Sequence, residues 1–317
     1  MNMHWNQYWQ QGHLTSFGDS YERNYTGVLQ QVWLDPVESL PDNFRVLDIA
    51  TGNGALPLMI REMECNAQRK GLIIGVDLAQ VHQPSVSDDS VGIEINLKSN
   101  IDCCNMPFES NSFDLITSQY GIEYASLTAA LPEALRVLRQ GGRLQLIVHH
   151  DHSMIIEKNR RILNLISNCL TDELFVILRI MIEQMGEISC ESDLNKLKQD
   201  VQSEANRIEL NRLIGELVKL DEEALKDSEL MVYISMLFKT GIFWSYKKKV
   251  RYLDFAEKEI LTLKLRLKEL VKAAVSQQVI AEIINNTSHF GCVEEVSVVR
   301  EPEGNAILAW KIIIFKV

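Results

Sequence analysis

In the first half of the chain, apolar residues come in short runs, each closed by a polar or glycine-rich stretch. FRVLDIA (44–50), GLIIGVDLA (71–79), IEINLKSNID (93–102), SFDLITSQYG (112–121) and RLQLIVHH (143–150) read as strands, most with the near-continuous apolarity of a buried sheet. The segments 55–68 and 127–142 between them read as helices, the second stopped by Gly141 and Gly142. Strands alternating with helices of this length predict βαβ units and a mostly parallel sheet.

Beyond residue 152 the pattern changes. Proline and glycine become scarce and helical periodicity persists to about residue 276. Leu253, Ala256, Ile260, Leu263, Leu267, Leu270 and Ala274 form one apolar stripe. Leu194, Leu197, Val201, Ala205 and Ile208 form another on a more polar helix. Such stripes pack inside one chain or zip two chains together, so a homodimer through this region stays open. Strand character returns in CVEEVSVVR (292–300) and AILAWKIIIFKV (306–317), joined by the turn EPEGN as a hairpin. The expected organisation is an aromatic N-terminal segment of short helices (1–40), an α/β domain (41–151 and 277–317) and a helical insertion (152–276).

A formal net charge of −11 disfavours a nucleic-acid polyanion as partner. The basic run YKKKVR (246–251) is a local exception, read as a solvated helix end or as a phosphate- or lipid-binding patch. Six cysteines without CxxC spacing indicate neither a zinc site nor a disulfide framework. The apolar stretch LFVILRIMI (174–182) is short and contains Arg179, so no membrane span is expected. No basic n-region precedes an apolar stretch at the N-terminus, and a cytoplasmic location is the expectation.

The first strand closes on Asp48 and runs into Ala50-Thr51-Gly52-Asn53-Gly54. In an open parallel sheet, ligands bind at the carboxyl ends of strands, where glycines allow close backbone approach. A dinucleotide site would want a third glycine at Pro57, and Asp48 would repel a pyrophosphate. A nicotinamide-dependent oxidoreductase is therefore disfavoured. Two more acids, Asp77 and Asp102, end the next two strands. A ligand with an amino group, a ribose diol and an adenine amine would satisfy all three, and S-adenosylmethionine has those parts.

Over about residues 42–150, and more loosely in the final hairpin, the sequence resembles the class I S-adenosylmethionine-dependent methyltransferases. VLDIATGNG looks like that family's first motif and GVDLA its second. IDCCNMPFESNSFDLITSQYGIEYA resembles its third and fourth, and ALRVLRQGGRLQLIV the helix and strand that follow. The resemblance implies a Rossmann-like α/β fold whose seven-stranded sheet has order 3-2-1-4-5-7-6, strand 7 antiparallel. It also implies that Ala50, Gly52 and Gly54 line the methionine part, with Asp48 on its amino group directly or through water. Asp77, followed by Leu78, would hold the ribose. Asp102 and the Cys103 backbone N–H would read the adenine, and Gln119 and Tyr120 would close over the cofactor. Ala50 stands where the family usually has its first glycine.

Methyl transfer is an in-line displacement that needs alignment and exclusion of water. A proton-bearing acceptor can also need a base, for which His150, His152 and Glu123 are the candidates. Glu123 could instead bond its own loop, and the histidines could cap the entry to the insertion. His149-His150-Asp151-His152 does not suit one metal ion, because adjacent strand residues face opposite ways. Trp5, Trp9, Tyr21 and Tyr25 form either a lid over the cofactor, favoured for Tyr21 and Tyr25, or a packed sheet edge. The insertion is expected to select a small-molecule acceptor, with oxygen, nitrogen or carbon as the receiving atom. A protein or peptide methyltransferase and a non-catalytic binding protein remain alternatives. SQYG stands where nucleic-acid enzymes carry an Asn/Asp-Pro-Pro-aromatic stretch.

Overall fold

A computed structural model describes residues 3–16, 24–65, 69–83 and 92–317. The chain divides into two compact units, residues 1–156 with 270–317 and residues 157–269.

The first unit begins with three short helices, α1 (Met3–Gln10), α2 (Val28–Gln31) and α3 (Leu34–Glu38). It continues through β1 (Phe44–Ile49), α4 (Ala55–Cys65), β2 (Gly71–Val76), β3 (Ile93–Lys98), β4 (Phe113–Gln119), α5 (Leu127–Val137) and β5 (Leu138–His149). The seven strands, with β6 (Gly291–Arg300) and β7 (Ile307–Lys316) last, form one sheet in the order β3-β2-β1-β4-β5-β7-β6. Strands β1 to β5 pair in parallel, while β7 is antiparallel to both neighbours. This is the order the motif resemblance implies.

Alternation along the strands sorts side chains onto two faces. Leu47, Ile49, Ile116, Leu144, Leu146 and Val148 pack with α5 and with Ile280 and Ile283 of α12 (Gln277–Thr287). Val46, Ile73, Leu115 and Ile147 pack with Leu29, Trp33 and Val37 of α2–α3 and with Met59 and Ile60 of α4. Each fully buried aliphatic side chain contributes about 1.5–3 kcal/mol, so both covered faces hold the sheet firmly. One expectation is corrected here. The helix over 127–142 ends at Val137, and the two glycines lie inside β5. Strand pairing wins over helical continuation because Ser112 N donates to Val137 O (2.7 Å) and Leu138 registers with Phe113.

The second unit is helical. The chain enters it within α6 (Met154–Ile166) and runs through α7 (Cys169–Met185), α8 (Glu191–Gln199), α9 (Val201–Asp227) and α10 (Leu230–Lys239). It leaves within α11 (Tyr246–Ala273). The stripe on α11 is buried at Leu253, Ala256, Ile260 and Leu267. The stripe over 194–208 does not lie on one helix. Asp200 breaks it, its side chain accepting from Ser203 N to cap α9. Val201 is 85% exposed and Ile208 58%, and the buried line of α9 runs through Leu210, Leu213 and Leu217. The basic run is not wholly solvated: Lys249 is fully buried, donating from Nζ to the Gly186 carbonyl at the end of α7 (2.9 Å). Among the described residues, no helix is long and apolar enough to cross a membrane.

Candidate active site

The loop after β1 turns sharply, with positive φ at Ala50 (56°), Gly52 (54°) and Gly54 (85°). Ala50 adopts a conformation that suits glycine, and such strain is typical of functional turns. A Cβ on Gly121 would fall 2.4 Å from that of Ala50, so the loop after β4 must pass this turn as glycine.

Asp48 ends its strand almost fully buried, accepting from the Thr117 hydroxyl of β4 (2.8 Å). Burial pushes its carboxyl up to about 7, threonine hydroxyls oppose this, and the nearby Asp77 charge adds to it. Asp77 accepts from the backbone N–H groups of Gly52 (2.9 Å) and Ala79 (2.8 Å). Burial raises its carboxyl too, against those two bonds. One carboxylate thus ties the loop after β1 to the loop after β2. Asp102 is exposed and accepts from Cys104 N (2.8 Å). Cys103 packs against the core, and burial pushes its thiol up to about 12, which leaves it a packing group rather than a nucleophile.

Helix α1 lies across this loop surface. Asn53 Nδ2 donates to the carbonyls of Trp9 (3.0 Å) and His13 (2.8 Å), and Gln80 N donates to Asn6 Oδ1 (2.8 Å). The Trp9 indole rests on Gly52 so closely that a Cβ there would meet the ring at 2.5 Å. Trp5 stands edge-on to Tyr124 (5.6 Å).

At the end of β5, Glu123 Oε1 accepts from the His149 backbone N–H (2.9 Å) and lies 2.7 Å from its ring Nδ1. Both side chains are buried, and the Tyr120 ring packs on the imidazole at 4.5 Å. Glu123 Oε2 is buried with no hydrogen-bond partner among the described residues. His150 faces the other way, stacked on Trp310 (4.3 Å) and accepting from His152 N (3.0 Å) at Nδ1. Burial lowers its pKa. His152 is largely exposed. Thus, of the three proposed bases, Glu123 is the one bonded to His149, whose strand parity puts it on the sheet face of Asp48 and Gln119. Its partner is His149, which sequence reasoning passed over. Counting by twos from Leu144, Leu146 and Val148 would have placed His150 on the packed α5 face and His149 opposite.

The remaining candidates are dispersed. Gln119 Oε1 accepts from Trp33 Nε1 (2.5 Å), and Tyr120 sits at φ 57°. Tyr25 is buried in the α2–α4 core with hydrogen bonds to Gln119 and Ser16, and burial pushes its phenol upward. Leu78 is 52% exposed. Tyr21 lies outside the described residues.

The donor set fits a cationic, donor-rich ligand. Asp48 is a buried acid whose protonation the charge of the half-buried Asp77 reinforces, a push that a positive group would reverse and a diphosphate would worsen. This sheet order, with a glycine turn after β1 and acids closing β1 and β2, is the arrangement that the resemblance to class I S-adenosylmethionine-dependent methyltransferases implies. Residues 47–146 match the family model described as a methyltransferase domain. A demethylmenaquinone methyltransferase of Porphyromonas gingivalis is 25% identical over 140 residues, covering 43% of this chain and 57% of that protein. A ubiquinone/menaquinone biosynthesis C-methyltransferase of Allorhizobium ampelinum is 29% identical over 138 residues, covering 40% and 51%. The chain thus spans about half the length of these curated relatives. A solved CurJ carbon methyltransferase aligns over 92% of this chain and 53% of its own at 14% identity, with a TM-score of 0.43.

Proposed function

We propose that this protein is an S-adenosylmethionine-dependent methyltransferase acting on a small molecule. The observation that carries the reading is the pair of a buried Asp48 and a half-buried Asp77 at adjacent strand ends around a positive-φ turn. Asp77 would accept from the ribose hydroxyls and Asp48 would face the methionine amino group. Asp102 and the Cys103 N–H would take the adenine, with Gln119 and Tyr120 beside them. The bound cofactor supplies an electrophilic methyl on a sulfonium. The chain's own part is to hold that ligand, exclude water and align an acceptor. Helix α1, with Trp5 and Trp9, is the lid of this reading, since it already lies on the glycine turn. The relatives named for quinone methylation support a small-molecule, carbon-centred acceptor.

The helical unit is assigned acceptor selection. In support, the chain departs for it just past β5, where His150 pairs with Val275 and Val275 N donates to His149 O (2.8 Å). Calorimetry with S-adenosylmethionine tests the cofactor reading, with micromolar binding expected. Absence of binding to the donor and to S-adenosylhomocysteine alike would remove it. Transfer of a labelled methyl group into the small-molecule fraction of a cell extract, rather than its protein fraction, tests the acceptor class.

A further inference from the structure

We infer that His149 is the proton acceptor of the methyl-transfer reaction and Glu123 its positioning residue, so that the acceptor is a proton-bearing phenol, enol or carbon acid. The inference rests on the methyltransferase reading above. Glu123 sits on the loop that crosses Ala50 at Gly121, and His149 is the last residue of β5, on the sheet face of Asp48 and Gln119. The two therefore stand at the carboxyl end of the sheet beside the glycine turn. With Glu123 taken as the acceptor of the 2.7 Å contact, Nδ1 carries the proton and Nε2 is the accepting nitrogen of the inferred step. The same oxygen also accepts from the His149 backbone N–H (2.9 Å), which fixes the ring's azimuth about its own strand. Tyr120 packs on the ring at 4.5 Å and Tyr124 stands edge-on at 6.0 Å, so rotation is blocked on two sides. A purely structural contact would satisfy both carboxyl oxygens, whereas Glu123 Oε2 is buried without a hydrogen-bond partner among the described residues. The titratable groups packed on His149 are Glu123, Tyr120 and Tyr124.

In the step this implies, the acceptor's electron pair forms the new bond to the methyl carbon. The sulfur–carbon bond breaks with its pair left on sulfur, and the acceptor's proton passes to His149 Nε2. A thiolate or a tertiary amine would need no such base, which is why the dyad selects the proton-bearing classes.

The test combines a spectroscopic and a functional readout. Long-range proton–nitrogen correlation spectra of the full chain should show His149 as the Nδ1–H tautomer, lost in Glu123→Gln and regained in Glu123→Asp. With labelled donor and the small-molecule fraction of a cell extract, His149→Ala should lose about a hundredfold or more in turnover. Its affinity for S-adenosylmethionine should not change. His149→Asn, which keeps a donor for Glu123 but has no second nitrogen, should behave alike. An Nε2–H tautomer in the wild type overturns the inference, as does full turnover in either histidine variant or loss of donor binding in both. Failure of the wild type itself to bind the donor would instead refute the cofactor reading.

Discussion

Asp48 and Asp77, in the first unit, sit where burial raises their carboxyls, Asp48 to about 7. Asp221, in the helical unit, is pulled down to about 2 by Arg161, which grips it through two nitrogens at 2.7 Å. Glu204, Glu209 and Glu222 are lowered in the same way by Arg207, Arg212 and Lys226, one helical turn along. The same chemical group thus serves opposite ends. In the helical unit each acid meets its cation on the surface and spends its charge on local structure. At the strand ends a buried Asp48 and a half-buried Asp77 lie beside hydroxyls and amides, without a cation among the causes that set Asp48. Such an arrangement destabilises the free protein and is stabilised by a positively charged ligand.

The contrast can be broken most sharply at Asp77. Asp77→Ala removes the acceptor of the Gly52 and Ala79 N–H groups and of the proposed ribose contact. Donor affinity by calorimetry should fall about ten- to a hundredfold, as for loss of one or two charged hydrogen bonds. An unchanged Kd would refute the assignment.

A smaller effect is expected at Asp48. Its folded carboxyl holds a proton more tightly than the unfolded value of 3.8, so its contribution to stability is most favourable below about pH 4 and is lost as pH rises through about 7. Binding of a cation favours the ionised form, so donor affinity should rise by up to about tenfold per pH unit between pH 5.5 and 7. Calorimetry in buffers of different ionisation enthalpy should show proton release. Asp48→Asn should abolish that release and gain melting temperature relative to wild type at pH 8 but not at pH 4. A pH-independent difference would sink the linkage.

The least effect belongs to the surface pairs. Arg179 bonds Asp254 (2.9 Å) and Glu257 (2.8 Å) with all three side chains well exposed. Arg179→Ala should leave donor affinity unchanged and lower the melting temperature by no more than about 2 °C. A larger shift, or weaker donor binding, would erase the distinction between the two kinds of acid.

The sheet was legible because each strand run is apolar, separately bounded and closed by an acid or glycine, and those signals are local. The placement of Asp48, Asp77 and Gly52 at the strand ends and the turn between them was legible for the same reason. His149 was not: it differs from His150 only in strand parity, and β5 starts earlier than Gly142 suggests because it pairs with a distant strand. The break at Asp200 escaped notice because apolar spacing continues across it, while the capping bond to Ser203 overrides that spacing. The meeting of Trp9 with Gly52 joins residues far apart in sequence, and no periodicity encodes it.

That meeting has a kinetic corollary. On the cofactor reading proposed above, the methionine part cannot reach the Gly52 backbone while an indole lies on it, so loading would require α1 to swing aside and each round of product exchange would repeat the excursion. Tryptophan emission would then register occupancy without any added label, and solvent viscosity would tune the exchange rate.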